Sequence, residues 1–193
     1  LGVANIFMKR VLPPLLKSDS VDVAAIASRS AGKARKAAEE FGIAKSYGRY
    51  EDLLGDPEIE AVYIPLPNNL HAEWIRKAAD AGKHILCEKP LGLNAEETAS
   101  CVEYAAKRNV MLMEAFMYRF HPQWRHASEL VRIGEIGKIA AVHTAFAYDL
   151  RDPENIRNKL EMGGGALMDI GCYAVSAARF IFGAEPERVV GYF

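Results

Sequence analysis

Two stretches of this sequence carry residue types that can move a proton. Glu88-Lys89-Pro90 closes the apolar run 84–87, which is typical of a buried strand. Charges at the end of a buried strand are costly to desolvate, and the carboxyl ends of strands are where ligands bind in open α/β sheets. Far along the chain, Asp169 and Tyr173 follow the glycine run 163–165 and stand four residues apart, so a helix would place them on one face.

A lysine near a tyrosine is an acid/base device, because an ammonium group favours the phenolate and lowers a tyrosine pKa from about 10. An aspartate beside them would orient either group or bind a substrate hydroxyl. We therefore take Lys89, Tyr173 and Asp169 as candidate catalytic residues. Spacing alone does not bring Lys89 to Tyr173. The alternative is a buried Tyr173 bonded to a backbone carbonyl, with Asp169 as the acid of a helix start.

The first residues fit a phosphate-binding turn. The segment Gly2-Val3-Ala4-Asn5-Ile6-Phe7 stands where a G-x-G-x-x-G turn would stand, with Ala4 and Phe7 in the second and third glycine places. A helix beginning near Asn5 would offer its first amide groups to a phosphate. The alternative is a chance glycine in a ragged terminus. The residues predicted to hold a pyrophosphate are Gly2, Ala4, Asn5 and Ile6.

The segment Ser28-Arg29-Ser30 follows the next predicted strand, where a dinucleotide-binding fold reads the adenosine ribose. NAD enzymes usually place an acid here for the ribose 2′-hydroxyl. This chain has two hydroxyls and a guanidinium, with Lys33 one turn further on. Because arginine binds phosphate in a forked, charge-assisted geometry, the pattern favours NADP over NAD. The alternative is a solvated helix start.

Two further segments supply candidate ligand contacts. In 65–69, two prolines fix a turn, and the Asn68 amide could reach a ribose or a nicotinamide. His71 is either a cofactor-site residue or a histidine bonded to partners within the protein. Arg119 and His121 could line a substrate cleft, or Arg119 could form a structural ion pair. Together with the residues above, the predicted cofactor-binding set contains Leu66, Pro67, Asn68, His71, Glu88, Lys89, Pro90 and Arg119.

A sheet must position these residues, and the first 115 residues alternate predicted strands and helices. The predicted strands are 21–27, 61–66, 84–88 and 110–114, and the predicted helices start near 5 (bent or ended by Pro13-Pro14) and span 30–41, 72–81 and 95–108. This alternation predicts a parallel, doubly wound α/β sheet over domain 1–115. A helix over 122–133, a long strand over 138–148 and an apolar helix ending near Phe182 predict an α+β domain over 116–193.

Composition narrows the class of function. The 193 residues are 50% hydrophobic with a net charge of −1, which gives no support to a nucleic-acid or membrane-surface partner. We expect no apolar run long enough to span a bilayer. The three cysteines show no zinc spacing, so we expect no metal. Isolated cysteines also suggest a reducing, cytoplasmic compartment. A targeting signal before residue 1 would lie outside this sequence. Both ends read as cut, with the first strand absent.

Four segments taken together resemble the glucose–fructose oxidoreductase / inositol dehydrogenase / MocA family. They occur in the family's order and spread over nearly the whole chain: 1–6, 87–91, 114–122 and 163–173. The resemblance implies a Rossmann domain followed by a domain with an open, mostly antiparallel sheet that often serves homo-oligomer contacts. It also places Lys89 near the nicotinamide. Tyr173 stands where many members have histidine, as in the dihydrodiol dehydrogenase and NADP-dependent xylose dehydrogenase branch.

The resulting hypothesis is an NADP-dependent oxidoreductase that transfers hydride between nicotinamide and a hydroxyl or carbonyl of a sugar or cyclic diol. The expected partners are this small-molecule substrate and further copies of the chain, in a homodimer or higher homo-oligomer. The alternative is a non-catalytic regulatory protein of the same fold that senses NADP or a sugar. The presence of both Lys89 and Tyr173 argues against a sensor, which needs neither.

Overall fold

A computed structural model describes residues 1–192, so Phe193, the last residue of the expected second domain, lies outside the described residues. The chain divides into two compact units. The first comprises Leu1–Ala115 with Glu161–Gly163, and the second comprises 116–160 with 164–192. The segment Glu161–Gly163 thus joins the first unit, although the sequence predicts it within the second domain.

The first unit is built on parallel strands. Its strands are β1 (Ala25–Ala27), β2 (Lys45–Tyr47), β3 (Ala61–Ile64), β4 (His84–Cys87) and β5 (Leu112–Glu114). Its helices are α1 (Leu12–Leu15), α2 (Ala31–Phe41), α3 (Tyr50–Leu54), α4 (His71–Asp80) and α5 (Ala95–Lys107). Strand β1 pairs with β2, and β3, β4 and β5 pair in that order, all in parallel.

The first two residues lie between these two sheets. The Leu1 amino group donates to the Tyr63 carbonyl at 2.5 Å, and the Gly2 amide donates to the Ala27 carbonyl at 2.8 Å. This segment therefore connects the β1–β2 sheet to the β3–β4–β5 sheet by hydrogen bonds. Because every pair is parallel, the carboxyl ends of the strands meet at one edge.

Local sequence explains where the predicted elements begin and end. The Ser30 side chain accepts the Lys33 amide at the start of α2, and Gly42 ends that helix with a φ of 67°. The Asn94 side chain caps α5 through the Glu97 amide. The predicted strands were too long by up to four residues, and β2 and α3 were not predicted, since short elements carry little periodicity.

The first helix differs from its prediction. A π-helical turn at Phe7–Val11 leads into α1, whose first turn contains Pro13 and Pro14. Proline has no amide hydrogen to donate. The amide groups in the first turn of a helix have no helical acceptor, so proline loses no hydrogen bond there. The prolines therefore lie within the helix rather than ending it, and the distortion falls on the π turn before them.

The second unit contains the helices α6 (Pro122–Arg132) and α7 (Cys172–Phe182), with a π turn at Leu167–Gly171 leading into α7. Gly183 ends α7 with a φ of 61°, as predicted. The strand predicted over 138–148 is wrong for the described residues, in which this stretch carries no strand. A strand is stabilised by a neighbouring strand, and all strand pairs described in residues 1–192 belong to the first unit.

One stretch contradicts the expectation that no apolar run could span a bilayer. Leu160–Phe182, with a mean hydropathy of 1.3, is long and apolar enough by length and composition. A single such stretch is weak evidence for a membrane span, because a buried core helix of a protein that crosses no membrane can be equally long and apolar. Here the stretch is divided into a 3-10 turn, a glycine run, a π turn and α7.

Candidate functional site

The carboxyl edge of the parallel strands, called here the sheet edge, comprises Gly2 and the loops 28–30, 65–71 and 88–91. Gly2 has a φ of 96°, and a Cβ at this position would lie 3.1 Å from Leu66 Cδ2 and 3.6 Å from Tyr50 Oη. Both the left-handed backbone and the close approach therefore require glycine. The sequence predicts that this turn holds a pyrophosphate, and that role of Gly2 stays a prediction.

The helix that follows Gly2 offers amide groups at the same end. The Met8 amide donates to the Ala4 carbonyl at 3.0 Å, so the amides before Met8 lie outside the helical hydrogen-bond series. Such a helix start attracts anions. Ala4, Asn5 and Ile6 occupy this first turn, where the sequence predicts them to hold a pyrophosphate; that role stays a prediction.

The loop after β1 is ordered by its own serines. The buried Ser28 accepts the Ser30 amide with its Oγ at 3.2 Å, and Ser30 accepts the Lys33 amide at 3.4 Å. Arg29 and Lys33 are exposed, and no ion pair described in residues 1–192 involves either. Arg29 of the loop and Lys33 of α2 thus place two exposed cations beside this turn, in keeping with the predicted 2′-phosphate contact.

His71 lies wholly buried between two loops of the sheet edge. Its Nε2 lies 2.9 Å from the Leu66 carbonyl oxygen, and its Nδ1 lies 2.8 Å from the Pro90 carbonyl oxygen. Burial lowers the pKa of His71, although the two carbonyls oppose this effect. Of the two roles left open, the geometry favours a histidine bonded to partners within the protein.

Asn68 also bonds within the first unit. Its side-chain amide donates to the Gly163 carbonyl at 2.8 Å, and the Asn69 amide donates to the Glu161 carbonyl at 3.0 Å. Gly163 has a φ of 74°, and a Cβ there would lie 2.4 Å from Leu93 Cδ2 and 2.9 Å from Asn68 Cβ. The predicted cofactor contact of Asn68 is untested, but the structure gives its amide nitrogen a tethering role that sequence reasoning missed.

Lys89 lies half-buried in the loop after β4, and its neighbours in sequence are anchored. The Tyr63 hydroxyl donates to Glu88 Oε1 at 2.5 Å. The Leu91 amide donates to Glu114 Oε1 at 2.8 Å. Sequence reasoning missed Glu114, although a charged residue ending a predicted strand is the same signal that singled out Glu88.

In the second unit, the Tyr173 ring belongs to an aromatic cluster. Its centroid lies 5.3 Å from Phe116, 5.9 Å from Phe146 and 6.2 Å from Tyr118, and its hydroxyl donates to Met117 Sδ at 3.4 Å. A cavity of about 450 Å³, called here the aromatic cavity, opens beside these rings. Its lining includes Tyr118, His121, Gln123, Trp124, Phe146 and Tyr173.

Asp169 is held by two side chains of the same unit. Arg157 Nε donates to Asp169 Oδ1 at 3.0 Å, and the Tyr148 hydroxyl donates to Asp169 Oδ2. The hydrogen bond to Asp169 raises the pKa of Tyr148, and burial adds to the effect. The sequence placed Tyr148 on a strand and gave no signal for Arg157.

Arg119 and His121 flank the aromatic cluster. The Arg119 guanidinium lies 5.2 Å from the centroid of the Phe180 ring, within range of a cation–π contact. His121 Nδ1 accepts the Gln123 amide at 3.2 Å and so caps α6. The structure thus gives Arg119 an aromatic partner; its predicted cofactor contact stays a prediction. No group of three or more possible metal ligands occurs in the described residues.

Comparison with known proteins assigns a family. Residues 1–116 match the profile of an oxidoreductase family with an NAD-binding Rossmann fold, and residues 124–193 match the GFO/IDH/MocA C-terminal domain. The D-xylose 1-dehydrogenase (NADP(+)) 2 of Haloferax volcanii is 50% identical over 190 residues, covering 98% of this chain and 58% of that protein. The trans-1,2-dihydrobenzene-1,2-diol dehydrogenase of Xenopus tropicalis is 39% identical over 168 residues, covering 86% of this chain and 51% of that protein.

A solved structure agrees with these sequence matches. It is a 3-ketoreductase from Actinomadura kijaniata in complex with NADP and TDP-benzene, with a TM-score of 0.87 and 39% identity, covering 94% of this chain and 55% of that chain. The chain therefore spans a little over half the length of the relatives it matches. Because both profiles match in order along it, the chain belongs to the GFO/IDH/MocA oxidoreductase family, with its Rossmann domain at the amino end.

Proposed function

We propose that the protein is an NADP-dependent oxidoreductase acting on a hydroxyl or carbonyl group of a sugar or cyclic diol. The observation that carries the proposal is the sheet edge, where Gly2, the loop 28–30 and the anchored Lys89 follow the ends of parallel strands. Two relatives that match nearly the whole chain support this proposal: the Haloferax protein is named an NADP(+) dehydrogenase, and the Actinomadura ketoreductase was solved with NADP. Both are enzymes, which favours catalysis over a sensor.

The residues of the sheet edge fit a dinucleotide with a 2′-phosphate. Gly2 offers close backbone approach, and the first turn of the following helix offers amide groups. Arg29 and Lys33 would pair with the 2′-phosphate, and no acid stands in the loop 28–30 to repel it. When bound, NADP supplies or accepts the hydride; the protein contributes position and charge.

The proton steps fall to Tyr173 and Lys89 in this proposal. Tyr173 takes the proton of the substrate hydroxyl during oxidation and returns one to the carbonyl oxygen during reduction. Lys89 stabilises the negative charge that develops on the tyrosine and the substrate oxygen. Asp169, oriented by Arg157 and Tyr148, binds a second substrate hydroxyl.

Variants of the Actinomadura ketoreductase support the choice of this pair. Its solved structures include one with a tyrosine replaced by phenylalanine and others with a lysine replaced by alanine or glutamate. The two substituted positions in that protein are separated by the same number of residues as Lys89 and Tyr173 are here.

The aromatic cavity indicates the kind of substrate. Aromatic rings present apolar faces, and a sugar or a cyclic diol has C–H faces that pack on them while its hydroxyls face polar groups. The cavity offers Trp124 and Phe146 as faces and His121 and Gln123 as polar groups.

We further propose a reducing, cytoplasmic location and a homo-oligomer, which the composition and the family resemblance suggest.

The test is a fluorescence titration of the intact protein with NADPH and NADH, followed by nicotinamide absorbance with D-xylose, other aldoses and cyclic trans-diols. We expect tighter binding of NADPH and turnover with at least one of these compounds. Binding without turnover across the panel would move the assignment to the regulatory alternative. Absence of binding to either nucleotide would overturn the dinucleotide site itself.

A further inference from the structure

We propose that Glu114 and His71 are positioning residues that fix the loop carrying Lys89, an inference that rests on the proposed catalytic role of Lys89. The residues on either side of Lys89 are bonded to three different elements of the first unit. Glu88 is bonded to Tyr63 of β3, Pro90 to His71 of α4, and Leu91 to Glu114 of β5.

The backbone beside the loop is held as well. The Glu88 amide donates to the Ile64 carbonyl at 3.0 Å, and the Ala115 amide donates to the Cys87 carbonyl at 2.8 Å. Strand β4 is thus bonded to the β3 side up to Glu88 and to the β5 side up to Cys87. Past these residues, the side chains of Glu114 and His71 contact the loop.

Glu114 holds the loop through its backbone. Its carboxylate accepts the Leu91 amide at 2.8 Å, and the Leu91 side chain is buried. A hydrogen bond to a carboxylate is stronger than one between neutral groups. Removal of the acceptor would leave a partly buried amide without a partner, so the loop would have to move to reach water.

His71 holds the loop from the opposite side. Its ring lies within hydrogen-bond distance of the Leu66 and Pro90 carbonyls, and in its neutral form it donates to one of them at a time and fills the space between the loop after β3 and the loop after β4. The ring is wholly buried, which fixes its position. Displacement of a catalytic group by about 1 Å can cost about 100-fold in rate, so these contacts matter for Lys89 beyond their effect on stability.

The test is a double-mutant cycle in the intact protein, with Glu114→Met, which keeps the length of the side chain but removes the acceptor. We expect Glu114→Met to lower kcat about 10-fold to 100-fold in the parent protein and less than about 2-fold in a Lys89→Met background. Glu114→Gln, whose amide oxygen can accept the same bond, should restore most of the activity. An equal loss of kcat in both backgrounds would overturn the proposal.

The matched control is Asp56→Ala. Like Glu114, Asp56 is a carboxylate that accepts a backbone amide, that of Glu58 at 2.9 Å, but it is buried and precedes β3 at the opposite end of the strands. Asp56→Ala should lower the melting temperature while changing kcat less than about 2-fold at a temperature where the protein is folded. A loss of kcat in Asp56→Ala as large as that in Glu114→Met would show that general destabilisation explains both.

Hydrogen exchange separates this inference from the proposed function. Glu114→Met should speed exchange of the Leu91 amide at least about 10-fold, whether or not a substrate is known. If exchange rises but Lys89→Met does not affect turnover, the proposed role of Lys89 fails while the loop contact stands. If Glu114→Met does not fold, His71→Leu replaces it, because an apolar side chain cannot donate to either carbonyl. Unchanged exchange in the variant used would overturn the proposal.

Discussion

The sheet edge and the aromatic cavity region hold their candidate residues by different means. At the sheet edge, side chains bond mainly to backbone, as His71 does to Pro90 and Glu114 does to Leu91, and the Tyr63–Glu88 contact is the exception. Around Tyr173 and Asp169, side chains bond or pack against other side chains, as Tyr148 and Arg157 do against Asp169. Under the proposed function, the first region holds the nucleotide and the second region contacts the substrate.

The largest expected effect tests the chemistry in the aromatic cavity region. Tyr173→Phe should lower kcat/KM about 100-fold to 10,000-fold, because it removes the group that moves the substrate proton. NADPH affinity, measured by fluorescence, should stay within about 2-fold, since Tyr173 is not among the proposed nucleotide contacts.

Tyr118→Phe is the matched control for that experiment. Tyr118 lines the same cavity, but its hydroxyl is bonded to Ser176 Oγ at 2.7 Å and has no proposed role in proton transfer. It should change kcat/KM less than about 10-fold. If Tyr118→Phe were as damaging as Tyr173→Phe, the acid/base assignment would be wrong.

The next effect tests the sheet edge as a nucleotide platform. Arg29→Ala should weaken NADPH binding about 10-fold to 100-fold, through loss of charge-assisted contacts to the 2′-phosphate, and should leave NADH binding within about 2-fold. Arg35→Ala, which removes an exposed arginine of α2, the helix that follows the loop 28–30, should change neither. Equal weakening of both nucleotides in Arg29→Ala would argue against a 2′-phosphate contact.

The sheet edge was largely predictable from the sequence, and the reason is local. Ser30, Gly42 and Asn94 cap or end helices through contacts with residues close in the chain, and a buried run such as 84–87 identifies a strand by itself. The contact of Glu114 with Leu91 spans the sheet, and no short pattern encodes it. The one sequence signal for this contact was the charged residue Glu114 at the end of a predicted strand.

The region around Tyr173 was less predictable because its order depends on contacts between distant residues. The alternating pattern over 138–148 indicates a strand, but strand formation requires a partner, and none lies beside it in residues 1–192. No short sequence pattern pairs Asp169 with Tyr148 or Arg157. The spacing made Tyr173 a candidate but left its role open, and the family resemblance supplied the acid/base role.

A smaller effect tests how rigid the sheet edge is. Gly163→Ala would place a Cβ 2.4 Å from Leu93 Cδ2 in a backbone with a φ of 74°. Gly82→Ala shares a positive φ of 70° but meets nothing within 4 Å. We expect Gly163→Ala to lower the free energy of unfolding by about 1–3 kcal/mol more than Gly82→Ala, as measured by urea denaturation. Equal losses would mean that the loop around Asn68 can adjust.

The smallest effect concerns the Tyr148–Asp169 contact. The hydrogen bond to Asp169 raises the pKa of Tyr148, since deprotonation would lose that bond and place a phenolate beside a carboxylate. Asp169→Asn removes that charge, so the pKa of Tyr148 should fall toward about 10, as measured by NMR titration of ¹³C-labelled tyrosine. The pKa of Tyr104, raised mainly by burial in the first unit, should not move. An unchanged pKa of Tyr148 would mean that Asp169 is oriented by Arg157 alone, and the substrate-binding role proposed for Asp169 would then depend on a single ion pair.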